Sequence, residues 1–158
     1  MYANIQGVRG KVTSLKYVLT ALSADIILLT ETMVQNVKLD GYQCINPKKS
    51  VGQNVSIVLS DKLAGCPKMK LYEPNDSINM IGVRLEINGC GTRIYTAHMK
   101  QQSSNSRDDI KAQFDEIKNQ FRSADRNGDL WINHFKVFVT RSILLIMHIL
   151  TDANIRTL

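Results

Sequence analysis

The stretch KVTSLKYVLTALSADIILLTETM, residues 11 to 33, runs an amphipathic helix into an uninterrupted apolar strand with almost no linker. Val12, Leu15, Val18, Leu19 and Leu22 recur on one helical face, which predicts a helix over about 11–24. DIILLTE then shows no polar alternation, the pattern of a strand buried on both faces. Such a sheet must be covered on both sides, so packed sheets clad by helices are the expected architecture. The run ends on Glu31. Burying an unpaired charge is costly, so Glu31 is exposed at a strand end, paired, or holding a metal.

Further elements follow along the chain. GYQCI reads as a short strand leading into the basic, turn-rich loop NPKKSVGQ, and NVSIVLS (54–60) as another strand. In IGVRLEINGCGTRIYTAHM, Ile81, Val83, Leu85 and Ile87 alternate with Gly82, Arg84 and Glu86; Asn88-Gly89 supplies a hairpin turn, and TRIYTAHM returns. After the polar loop QQSSNS, Ser106 followed by Asp109 can cap a helix in which Ile110, Phe114, Ile117 and Phe121 repeat at helical spacing. RSADRNGDLWINHFK reads as polar and turn-like, and SILLIMHIL (142–150) as a buried strand or helix. The layout is mixed α/β with antiparallel hairpins.

Length and composition narrow the functional classes. At 158 residues the chain fits one domain with a real core, and 44% hydrophobic with 22% charged residues places it among globular proteins rather than disordered ones. A net charge of +6 favours polyanionic partners such as nucleic acid, a property shared with many unrelated basic proteins. Cys44, Cys66 and Cys90 are odd in number and widely spaced, which argues against a zinc site, a disulfide framework or a disulfide-linked partner and for a reducing, intracellular compartment. MYANIQGVRGK has no apolar signal region, and VFVTRSILLIMHIL is too short for a membrane span and carries Arg141 at its centre. No membrane association is expected.

Three stretches place polar residues at the ends of apolar segments: ANIQG with Asn4, LLTET with Glu31, and HILTDAN with Asp152 and Asn154. In a layered sheet protein such ends converge on one edge. Carboxylate and carboxamide oxygens gathered there suit Mg²⁺, or Mn²⁺ in its place, which prefers a few hard ligands and keeps most of its waters.

The segment NIQGVRGKVTSLKYVLTALSADIILLTETMV resembles the opening strand, first helix and second strand of the endonuclease/exonuclease/phosphatase superfamily. Within it, the chain is most similar to the endonuclease domains of non-LTR retrotransposon proteins. The resemblance continues through LDGYQCI, QNVSIVLSDKL and the hairpin to HMKQQSS and the following helix, covering about residues 4 to 122. It implies an α/β (α+β) fold, a partial four-layer αββα sandwich, and metal-dependent hydrolysis of a DNA strand.

Carried over by position, the resemblance makes Glu31 the metal-binding glutamate and Asn4 the asparagine that helps orient metal and phosphate. His98 falls where the family usually has a tyrosine contacting the scissile phosphate; its own strand pattern equally fits a hydrogen-bonded core histidine, and its charge would vary near neutral pH. Asp152 and Asn154 match a strand-terminal D-x-N motif whose aspartate aligns the attacking water and whose asparagine binds phosphate. Lys48 and Lys49 read as a solvated loop or, in an endonuclease-like domain, as phosphate contacts.

Two further departures accompany the resemblance. Residues 123–141 read as an insertion or as sequence outside the family fold, and the family's later strands, with a further aspartate and an Asp-His pair, have no counterpart. The chain therefore reads as a single, incomplete domain over 1–158, for which a catalytically inactive remnant with weak nucleic-acid binding is the alternative to an endonuclease. Asp125, Asn127 and Asp129 mimic an EF-hand loop, but Leu130 and Lys136 stand where that loop needs glycine and glutamate. A calcium site is not expected there.

Overall fold

The structure is a computed structural model that describes residues 1–49, 52–76, 78–98, 107–125, 130–139 and 142–146; strands at 130–139 and 142–146 are described by their backbone. The chain runs β1 (Tyr2–Asn4), α1 (Val12–Ala21), β2 (Ile26–Thr30), β3 (Tyr42–Ile45), β4 (Val55–Ser60), α2 (Asp61–Ala64) and β5 (Lys68–Tyr72). It continues through β6 (Asn79–Ile87), β7 (Cys90–His98), α3 (Arg107–Asp125), β8 (Leu130–Val139) and β9 (Ser142–Ile146). The strands form two sheets, ordered β1-β2-β4-β3 and β5-β6-β7-β8-β9.

Side-chain parity sets the layers. Leu28, Val55, Ile57 and Leu59 of the first sheet pack against Ile81, Val83, Leu85 and Ile94 of the second. On its outer face the first sheet buries Ile27, Leu29 and Val58 against Leu15 and Leu19 of α1. The second sheet buries Ile78, Met80, Tyr95 and Ala97 against Ile117 of α3. Helix, sheet, sheet and helix therefore stack in that order, and β2 is covered on both faces, as its apolar run requires.

The hairpin forms as its turn chemistry predicts. Asn88 and Gly89 both take positive φ, 51° and 76°, which a two-residue primed turn demands. That turn locks the register from Ile87 opposite Cys90 to Asn79 opposite His98. Helix α1 ends earlier than its apolar pattern, because Ser23 turns to φ 47° and breaks the repeat.

One reading is revised, one is decided between its two alternatives, and one strand appears where none was read. β5 was not legible as a strand; it has a register break between Lys70 and Tyr72 and mixes lysines with apolar residues. The turn-like reading of RSADRNGDLWINHFK gives way to the end of α3 and to β8, which lies parallel to β7 with Thr92 opposite Leu130. Residues 130–139 are thus a sheet member inside the segment read as an insertion. SILLI resolves to a strand, β9. Ser106, the expected helix cap, lies outside the described residues.

Tyr72 links β5 to α3. Its hydroxyl accepts from Asn75 Nδ2 at 2.8 Å, and burial, reinforced by the nearby Glu116 charge, pushes its pKa up to about 12. Because the folded value is raised, the unfolded phenol ionises first. The associated stability is intact below about pH 10 and is lost as pH rises toward 12. In a tyrosinate absorbance titration, Tyr72→Phe is expected to remove a phenol that ionises near pH 12, leaving the earlier phase unchanged.

Candidate functional site

The apolar interface between the sheets becomes polar at one end. There β1 and β2 finish, β7 finishes and β4 and β6 begin, bringing Asn4, Thr30, Glu31, Asn79 and His98 to one edge. Glu31 is 6% exposed and sits just past β2 with φ 56°, a left-handed backbone unusual for a residue with a long side chain. Neighbouring backbone holds it there. Gly7 N donates to Glu31 O at 2.7 Å, Val8 N to Thr32 O at 3.0 Å, and Thr32 N to Asn54 O at 3.3 Å. The following loop is stapled by Asn46, which exchanges two 3.0 Å hydrogen bonds with the backbone of Val37.

Glu31 is paired. Asn4 Nδ2 donates to Glu31 Oε1 at 2.8 Å, and His98 Nε2 stands 3.2 Å from the same oxygen, at ion-pair distance. Asn4 Oδ1 in turn accepts from Gln6 N at 3.3 Å, which fixes the amide with its nitrogen toward the carboxylate. His98 is 4% exposed and reaches this edge from the other sheet. The Glu31–His98 contact therefore bridges the sandwich. Beneath it, Tyr2 OH and Thr30 Oγ1 lie 3.1 Å apart, and burial, with the Glu31 charge as a lesser cause, raises the Tyr2 phenol above its ordinary pKa.

The donor set suits a hard divalent cation that keeps most of its waters. Mg²⁺ is commonly held by one or two carboxylates, with waters and substrate phosphates completing its shell. A single buried carboxylate backed by a carboxamide suits that mode. Among the described residues no cluster of three His, Cys, Asp or Glu is present. Cys44, Cys66 and Cys90 carry free thiols.

Of the residues singled out from sequence, Asn4, Glu31 and His98 meet directly. Lys48 and Lys49 are exposed on the β3–β4 loop, which returns to the same edge, where Met33 N donates to Gln53 O at 3.1 Å. The Lys48 backbone is tied down: its carbonyl accepts from Gln35 Nε2 at 2.6 Å and its amide donates to Glu73 Oε2 at 3.0 Å. Asp152 and Asn154 lie outside the described residues.

One buried polar residue at this edge was missed. Asn79 is 1% exposed, begins β6 and stands opposite His98 in register. The Asn88-Gly89 turn was the available signal, since a two-residue turn fixes which residues of the hairpin face each other.

No family model matches the chain, and no curated protein matches it. Solved structures do. The endonuclease domain of TRAS1, a telomere-specific non-LTR retrotransposon, superposes with a TM-score of 0.62 at 13% identity, covering 85% of this chain and 56% of that one. D. rerio TDP2 complexed with a single-strand DNA product gives 0.64 at 12% identity, covering 85% and 58%. The human Nocturnin catalytic domain with bound sulfate gives 0.59 at 15%, covering 85% and 61%. These neighbours share the endonuclease/exonuclease/phosphatase fold, and this chain has that fold. It spans between 56% and 61% of their lengths. Among the described residues no helix is long and apolar enough to cross a membrane.

Proposed function

We propose that this chain, built on the endonuclease/exonuclease/phosphatase fold, hydrolyses phosphodiester bonds in DNA with a bound divalent cation, Mg²⁺ or Mn²⁺. The observation that carries the reading is the Asn4–Glu31–His98 contact, a buried carboxylate held by a carboxamide and faced by an imidazole from the opposite sheet. A cation on Glu31 would supply Lewis-acid polarisation of a phosphoryl oxygen.

The chain's own residues divide the remaining work. Glu31 would supply the carboxylate that holds the ion. Asn4 pins the Glu31 carboxylate through Oε1. His98 offers an imidazole to the scissile phosphate, and Lys48 and Lys49 add salt-dependent, sequence-blind affinity for the backbone. By resemblance, Asp152 aligns the attacking water and Asn154 binds phosphate. Fold neighbours that act on or bind DNA by name, the TRAS1 endonuclease domain and TDP2, support the choice of substrate.

The test is nicking of supercoiled plasmid by the purified chain. The expected result is conversion to open circles in Mg²⁺ and none in EDTA. Equal nicking in EDTA would sink the metal requirement. Plasmid binding without nicking, by a chain shown to be folded, would favour the inactive remnant over the endonuclease.

A further inference from the structure

Asn79 carries a buried carboxamide that no described residue satisfies. Among the described residues, neither its Nδ2 nor its Oδ1 has a hydrogen-bond partner, and both atoms are closed off from solvent. A carboxamide brings two donors and an acceptor with two lone pairs, and leaving them unmet in an interior is costly. The neighbouring inward positions of β6 are Ile81, Val83 and Leu85, so an apolar side chain would suit the same face.

Its surroundings say what the amide faces. Directly opposite residues of an antiparallel pair project to the same side of the sheet, so Asn79 lies beside His98, whose Nε2 is 3.2 Å from Glu31 Oε1. On another side is the β3–β4 loop: a Cβ added at Gly52 would stand 4.0 Å from Asn79 Nδ2. The amide is therefore set between the Glu31–His98 pair and the loop that carries Lys48 and Lys49.

We infer that Asn79 is a phosphate-binding residue of this site, its Nδ2 donating to a non-bridging oxygen of the phosphate group that the Glu31–His98 edge receives. This rests on the phosphodiesterase reading and adds a residue to it. The neutrality of the group suits it to this place. A lysine or arginine at 79 would compete for the Glu31 carboxylate, whereas a carboxamide can donate to an anion without neutralising the charge beside it.

The test pairs a stability measurement with a binding measurement on the full chain. Inorganic phosphate is the probe, titrated calorimetrically in Mg²⁺, with thermal melts run alongside. Asn79→Leu removes the unmet polar atoms at similar volume. It is expected to melt above the wild type while its phosphate affinity falls roughly ten-fold, the scale of a hydrogen bond to a charged group. Asn79→Ala, which only removes atoms, repeats the binding measurement should leucine fail to pack.

A lower melting temperature for Asn79→Leu would show that the amide is bonded within the fold and overturn the inference. Unchanged phosphate affinity in a folded variant would overturn it as well. Mn²⁺ binding, followed by electron paramagnetic resonance in wild type and Glu31→Ala, reports on the metal separately. Equal Mn²⁺ binding by those two proteins would count against the phosphodiesterase reading, while the phosphate titration still decides the role of Asn79.

Discussion

Gly82→Ala is expected to lower the melting temperature by roughly 3–10 °C, from an overpacking cost of about 1–3 kcal/mol in a domain of this size. The cause is a close approach in the middle of β6. The ring of Tyr95 lies over Gly82, its direct partner in register, and a Cβ at Gly82 would stand 2.5 Å from Tyr95 Cδ1 and 3.2 Å from Tyr72 Cβ. Tyr95 is 1% exposed and packs among Ile78, Met80, Ala97 and Ile117, so the ring cannot lift without disturbing the contact with α3. The penalty should shrink in a Tyr95→Leu background, where the ring is gone, and a double-mutant cycle by thermal melts measures the difference. An equal penalty in both backgrounds would mean that the ring is not what meets the new methyl group.

Glu31→Gln is expected to reduce Mg²⁺-dependent nicking by on the order of 10²–10³, the scale set by removing one preorganised electrostatic contact from a reacting centre. Glutamine keeps the length of the side chain and an acceptor for Asn4 Nδ2, so the fold should survive. What it loses is the charge facing His98 Nε2 and any bound cation. Glu31→Ala is expected to do more harm, because it leaves a buried amide donor and a buried imidazole facing a cavity. Circular dichroism separates the two effects: Glu31→Gln should melt close to wild type while losing activity. Retained nicking in Glu31→Gln would remove this carboxylate from the metal-binding role.

Much of this edge could be read from the residues alone, for reasons that differ by element. Helix α1 and strand β2 declared themselves because one face repeats at helical spacing and the next run has no polar interruption, which leaves little else for either segment to be. The β6–β7 hairpin was legible through Asn88-Gly89, whose positive φ values few other dipeptides accept. Asn4, Glu31 and His98 were found by position at strand ends and by resemblance, and three elements from two sheets do carry them to one contact. β8 was not legible, since a strand inside a sheet is specified by its neighbours, and RNGDLWINHF offers turn residues before any alternation. Asn79 escaped because it stands at a strand start with no chemistry suggested by its flanks; only the hairpin register connects it to His98. Asp152 and Asn154, reached through resemblance alone, fall outside the described residues.

The broken register of β5 bears on how copies of this chain avoid one another. An open sheet edge offers unpaired amides and carbonyls to any extended segment, and regular, apolar edges invite aggregation. β5 pairs with β6 on one side and lies at the end of its sheet. It carries Lys68, whose ammonium donates to Ala64 O and to Cys66 O, and Lys70, whose ammonium donates to Asn46 O and pairs with Glu73. An incoming strand would have to displace those lysines and follow a backbone that changes register between Lys70 and Tyr72. The irregularity that hid β5 from pattern reading thus guards this edge of the second sheet against strand-to-strand pairing.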